Sequence, residues 1–197
     1  MSDEVDLGRR RVLTTATALT GAIGAVLAAT PFLASWKPSA RAKALGAPIE
    51  IDVSKLEAGA MLKVEWRGKP VWVVRRTPEM LKQLEKATPF LLDPHSEASI
   101  QPDYAKNDGR ARKPEYLVLV GVCTHLGCSP LPKFEAADVT VSADWPGGFY
   151  CPCHGSKFDL AGRVFKGVPA PSNLVVPPYT FVTDGRILVG TDGAQAA

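Results

Sequence analysis

The hydrophobic and polar positions divide the chain into three parts. Residues 12–33 carry no charge, a run of 22 positions rich in Ala, Leu, Val and Thr. As a helix rising about 1.5 Å per residue, the run spans ~33 Å, enough for the hydrocarbon core of a bilayer. A cleaved signal would have a shorter apolar stretch, and Trp36 with Lys37 has the character of an interfacial anchor. The run therefore predicts a retained, single-pass transmembrane helix. Residues 37–48 are small and polar, bracketed by Pro38 and Pro48, with no apolar face of their own. That composition predicts a tether whose Ala-rich middle can be helix or coil at little cost.

After Pro48 the period changes to two. Residues 49–53 alternate strictly, and residues 61–66 and 71–75 flank Arg67-Gly68-Lys69-Pro70 as a hairpin-like pair. Thr77-Pro78-Glu79 opens a short helix through about Lys86, with Thr at the N-cap and Pro at N1. Residues 90–113 read as polar loop. The continuous apolar run 116–122 predicts a buried strand, and 139–142 and 148–150 predict two more. A closing hairpin, 179–183 with 186–190, has Asp184-Gly185 at its tip, the dipeptide of a type I′ turn. The reading is an all-β domain of short antiparallel strands behind one N-terminal transmembrane helix.

Composition narrows the function by exclusion. At 197 residues the chain can bury one core with length left for an appendage. A net charge of +3, scattered along the chain, gives no reason to expect nucleic acid. Phosphate-loop, nucleophile-elbow and zinc-protease motifs are missing from the sequence. Residues 1–11 end in Arg9-Arg10-Arg11 followed by Val12-Leu13, which resembles a twin-arginine export signal. Gly8 and Val12 stand where Ser or Thr and Phe are usual, and a plain basic flank to a membrane helix has the same composition. The count of basic residues on either side of the span does not orient it.

The chemistry sits in two boxes, Cys123-Thr124-His125-Leu126-Gly127-Cys128 and Cys151-Pro152-Cys153-His154-Gly155-Ser156. They hold all four cysteines and two of the three histidines. Each reads as a tight turn offering thiolate and imidazole to one metal centre. Structural zinc also takes Cys and His, but as four ligands, which leaves one cysteine per loop unexplained. A secreted disulfide scaffold explains the cysteines and not the paired histidines. His95, alone in a polar loop, is read as a solvated surface residue.

On these boxes the chain resembles the Rieske iron–sulfur proteins, most closely the iron–sulfur subunit of the ubiquinol–cytochrome c reductase (cytochrome bc) complex. The resemblance implies a Rieske 2Fe–2S cluster with Cys123 and Cys151 on the buried iron and His125 and His154 on the outer one. It implies a Cys128–Cys153 disulfide clamping the loops, a bridge that typically stabilises by ~2–4 kcal/mol and belongs in an oxidising compartment. Residues 166–171 resemble the family's proline loop, with Pro169 over the cluster. Leu126 would shield the cluster, His154 would meet the quinol hydroxyl, and Ser156 would lie beside the cluster. Many relatives have Tyr where Phe158 stands here.

The implied function is electron transfer from quinol to a c-type cytochrome, as a catalytic subunit beside cytochrome b in a dimeric complex of a bacterial inner membrane. Its C-terminal domain would be periplasmic. The expected segments are 1–36 for export signal and anchor, 37–48 for a hinge, and 49–197 for the cluster domain, with its cluster-binding part at about 122–176. A small Rieske subunit of another periplasmic oxidoreductase, such as arsenite oxidase, shares the export motif and the cluster. An oxygenase chain needs a further two-His–one-carboxylate iron site, and only His95 is left to supply it.

Overall fold

A computed structural model describes residues 6–191. Residues 1–5 and 192–197, which the sequence reading placed in its first and last segments, lie outside the described residues. The chain divides into two compact units, Met1–Ala44 and Leu45–Ala197.

The first unit is mainly helix α1, Leu7–Ser35. It starts ahead of the apolar run because the Asp6 carboxylate accepts from the backbone N–H of Gly8 (3.0 Å) and Arg9 (3.1 Å). An acceptor at that place satisfies donors that a first helical turn otherwise leaves bare. Its threonines do not disturb it: Thr14, Thr17 and Thr30 donate their hydroxyls back to carbonyls four residues earlier. Every described residue of α1 is exposed, and the helix is long and apolar enough to cross a membrane. A second helix, α2, Ala40–Gly46, occupies the middle of the expected tether.

Among the described residues, the second unit holds three antiparallel sheets of three strands each. Strand β1 (Ile49–Asp52) lies against β9 (Arg186–Val189), which pairs in turn with β8 (Tyr179–Thr183). Strands β2 (Met61–Trp66), β3 (Lys69–Arg75) and β4 (Tyr116–Val120) form the next sheet, with Val73 opposite Val118. The third contains β5 (Leu131–Lys133), β6 (Gly148–Cys151) and β7 (Ser156–Asp159). Helix α3 runs Pro78–Ala87, its Thr77 side chain accepting from Met80 N at 3.2 Å. Strand β4 is buried at all five positions, as its unbroken apolar run predicts. The Trp72 indole of β3 stacks on Phe149 of β6 at 5.1 Å, joining the second and third sheets.

Two predicted elements differ. Residues 139–142 are not a strand: Val139 is 83% exposed, and Asp138 folds the segment into a turn. Its carbonyl accepts from Val141 N and Ser142 N, while its carboxylate accepts from Thr140 N at 2.9 Å and sits 3.0 Å from Lys133 Nζ. A short acidic side chain that bonds the following backbone outcompetes the strand preference of Val-Thr-Val. The hydrogen bonds from Thr140 and Lys133 hold the Asp138 carboxyl down at about 2. The strand that pairs with β6 is instead β5, whose Pro132 is tolerated because β5 is an edge.

The Asp184-Gly185 tip is not type I′, since neither residue has a positive φ. A register slip between Phe181 and Thr183 supplies the twist, and the Gly185 carbonyl is held by Val53 N at 2.8 Å. The type I′ geometry occurs at Arg67 (φ 52°) and Gly68 (φ 68°), which join β2 to β3.

The loop-rich segment after α3 is anchored by buried guanidinium groups. Arg76 donates to the carbonyls of Pro114, Gly109 and Leu160, and Arg110 to those of Ala161 and Gly162 and to Gln101 Oε1. Arg163 pairs with Asp159 at 2.7 Å, both essentially unexposed, and also reaches Pro94 O and Leu84 O. These cations replace the strand ladder that the segment lacks. Burial pulls Arg76 and Arg110 down to about 10, against the attraction of Asp159. His95 is exposed, 3.4 Å from Asp108.

Candidate metal centre

Strand β4 carries the chain to the first box, and the approach depends on one glycine. A Cβ on Gly121 would lie 2.1 Å from the Trp72 ring, so only a residue without a side chain passes there. The two boxes then close in the same way. Gly127 N donates to Cys123 O at 3.0 Å, and Gly155 N to Cys151 O at 2.9 Å, with both glycines at positive φ. Cys123 N also donates to Cys128 O, and the second loop is bounded by the Cys151–Ser156 pair of β6 and β7.

Cys128 and Cys153 are joined as a disulfide. Cys123 and Cys151 are the free cysteines, 3% and 2% exposed. Burial pushes the Cys151 thiol up, and its hydrogen-bonded neighbour Cys123 adds to the shift. The backbone N–H groups of Cys153 and His154 act in the opposite direction on the same sulfur. Two adjacent thiols, buried and with amide donors aimed at one of them, form a donor set that a cationic iron centre completes. The His125 and His154 rings stand 4.8 Å apart between centroids and perpendicular to each other. His125 is half-buried and His154 exposed, so sulfur lies inward and imidazole outward. The residues present fit a 2Fe–2S group with two sulfur and two nitrogen ligands.

The sulfurs of Cys128, Cys151 and Cys153 lie within 4.8 Å of one another. Since two of them are bonded to each other, this proximity places the bridge against the free Cys151 thiol and does not make a separate three-cysteine site. Other expected residues surround the boxes. Leu126 is 71% exposed, at the tip beside the imidazoles. The Ser156 hydroxyl, wholly buried, accepts from Ala170 N at 3.1 Å, which fastens the proline loop to β7. Pro169 is on the exposed side of that loop, next to buried Ala170. Phe158 is fully buried in the same core as Cys123 and Cys151.

Sequence reasoning missed Thr124, whose hydroxyl donates to Ser172 O at 2.7 Å and ties the first box to the chain beyond the proline loop. Its position inside the box was the available signal. A cavity of about 770 Å³ lies elsewhere, lined by Phe90, Trp145, Phe165 and several lysines, and no box cysteine or histidine lines it. Leu126 and His154 leave the centre open to the surface.

A small β domain presenting two disulfide-clamped Cys–His loops is a Rieske iron–sulfur protein. Residues 49–180 match the Rieske [2Fe-2S] domain family, and residues 1–39 match the family described as ubiquitinol-cytochrome C reductase Fe-S subunit TAT signal. The ubiquinol–cytochrome c reductase iron–sulfur subunit of Allochromatium vinosum is 60% identical over 188 residues, covering 95% of this chain and 91% of that one. Its counterpart from Blastochloris viridis is 44% identical over 190 residues, 96% of each chain. A solved chain of a hyperthermophilic respiratory Complex III covers 88% of this chain and 98% of its own, at 28% identity and a TM-score of 0.47. The chain belongs to the family of ubiquinol–cytochrome c reductase iron–sulfur subunits.

Proposed function

We propose that this chain is the electron-carrying, catalytic subunit of a quinol–cytochrome c reductase. Cys123 and Cys151 hold the inner iron of its Rieske 2Fe–2S cluster, and His125 and His154 the outer iron. The observation that carries the reading is the layering of the site: buried free thiols inward, a half-buried and an exposed imidazole outward. When bound, the cluster supplies a one-electron acceptor whose potential is raised because neutral imidazoles replace two thiolates.

The chain's own residues do the rest. The exposed His154 ring would meet the hydroxyl of a quinol bound by a partner, giving electron and proton departure a common point of contact. Leu126 offers an apolar surface beside it, which excludes water when the tip docks. The Cys128–Cys153 bridge holds the two loops at fixed separation, and Ser156 with Thr124 fastens them to the chain around the proline loop.

The disulfide and the twin-arginine-like Arg9-Arg10-Arg11 support a periplasmic head on an inner-membrane anchor, since the first needs an oxidising compartment and the second exports folded proteins. Cytochrome b and a c-type cytochrome, in a dimeric complex, are the partners this role requires. Residues 37–48 serve as the hinge between anchor and head.

The ligand assignment is tested by electron paramagnetic resonance of the dithionite-reduced full chain. A 2Fe–2S signal is expected, with hyperfine coupling to two nitrogens that changes on ¹⁵N-histidine labelling. Cys123→Ala and Cys151→Ala should abolish it, whereas Cys128→Ala should keep it at low temperature and lose it faster on mild heating. A silent protein, or a signal that survives Cys123→Ala, would overturn the assignment.

A further inference from the structure

From Leu7 through Leu45 every residue is exposed, and Gly46 is the first that is not. Two neighbouring side chains at the β2–β3 turn account for the change. Trp66 Nε1 donates to Ala47 O at 3.0 Å, and Arg67 Nε and Nη2 both reach Gly46 O at 3.3 Å. The Arg67 guanidinium lies 4.4 Å over the Trp66 ring, so the two donors brace each other. Arg67 and Gly68, both at positive φ, form the turn that carries this side chain. From the other side, Gly190 leaves room for the chain, since a Cβ there would lie 2.9 Å from Pro48 Cα and 3.1 Å from Trp66 Nε1. Gly46 ends α2, and a cation at a helix C-terminus meets carbonyls that have no partner within the helix.

We propose that Trp66 and Arg67 are positioning residues that clamp the domain-side end of the tether at Gly46 and Ala47. The moving part of the chain therefore ends at Leu45, and not at Pro48 where composition changes. This rests on the swinging-domain reading of residues 37–48, because only then does the length of free tether bear on turnover. By the usual length dependence, lengthening a flexible tether from about nine to about twelve residues lowers the head's effective concentration at each partner by roughly a third.

The test uses the assembled, cluster-loaded complex in detergent and two substitutions that keep the fold. Trp66→Phe keeps the ring and removes the N–H. Arg67→Asn removes the guanidinium and leaves an Asn-Gly pair, which favours the type I′ turn. Chymotrypsin can cut after Leu45 only if Gly46 and Ala47 leave the clamp and thread through its cleft, so the rate reads the released population. Cleavage should quicken roughly fivefold in Trp66→Phe and roughly tenfold in Arg67→Asn. Tryptic cleavage after Arg41 and the cluster signal should not change.

Cleavage after Leu45 at the wild-type rate in both variants would overturn the clamp. If the clamp loosens as expected, steady cytochrome reduction should fall by about a third while cluster reduction in a single turnover is unaffected. A loosened clamp with undiminished turnover contradicts the hinge reading and leaves the clamp standing.

Discussion

At the scale of the residue, the site is decided by which side chains water can reach. Ser156 is buried, and its oxygen already accepts from Ala170 N, so its own proton is free to point at the cluster region. Such a bond favours the reduced, more negative cluster and raises the potential. Ser156→Ala should lower the midpoint by about 60 mV, the equivalent of a tenfold change for one electron, and Phe158→Tyr should raise it by a comparable amount. Protein-film voltammetry reads both, and unchanged midpoints in the two variants would remove the argument. Asp159 is a different case. It is the acidic partner of Arg163 in a core that also holds Arg76 and Arg110. Asp159→Asn leaves buried cations short of their counter-charge and should cost on the order of 3 kcal/mol, seen as a lower denaturation midpoint. A midpoint within error of wild type would show that the carbonyls alone suffice.

The same residues show what the sequence discloses. The boxes were legible because each places a complete chemical pattern within six consecutive positions, and the disulfide appears where the family resemblance implied it. The arginines were not legible, since a loop arginine ordinarily means a solvated charge. Only tertiary carbonyls, from Leu160 and Gly162 for example, reveal that these are core residues.

At the scale of the element, long unbroken patterns were read well and short ones less so. Strand β4 and helix α3 appear as predicted, because burial at every position and a Thr-Pro start leave little choice. Residues 139–142 had the β-branched composition of a strand, but Asp138 gives their backbone a nearer partner. Strand β5 was hidden by Pro132, which its edge position permits. Helix α2 could not be distinguished from coil, as Ala-rich segments suit both.

Helix α2 now sharpens the test of the hinge. Proline at Ala42 and Ala44 fixes φ, and at Ala44 it also clashes with the turn before it. The doubly substituted complex should be reduced by quinol in a single turnover, whereas steady cytochrome reduction should slow roughly tenfold, since each head is confined near one partner. Stopped-flow and steady-state assays on one preparation separate the two steps. A normal steady rate with intact cluster content would contradict a moving head.

At the scale of the whole molecule, the chain combines an exposed apolar helix, a short segment of small residues and a β domain whose chemistry lies in two disulfide-linked loops. Each part has a physical reason within an electron carrier. On the proposed function, the helix would confine the head to the membrane that holds the quinol, and residues 37–48 would allow successive encounters. The two loops bring an imidazole to the surface without exposing the thiols. The central claim is that electrons pass through the centre formed by the two boxes. It is tested most directly by mixing the oxidised complex with a short-chain quinol and following cluster and c-type haem together by rapid-freeze spectroscopy. The cluster should be reduced first and the haem after it, and a Cys151→Ala complex with the same haem content should leave the haem oxidised. Haem reduction at the wild-type rate in that variant would contradict the account.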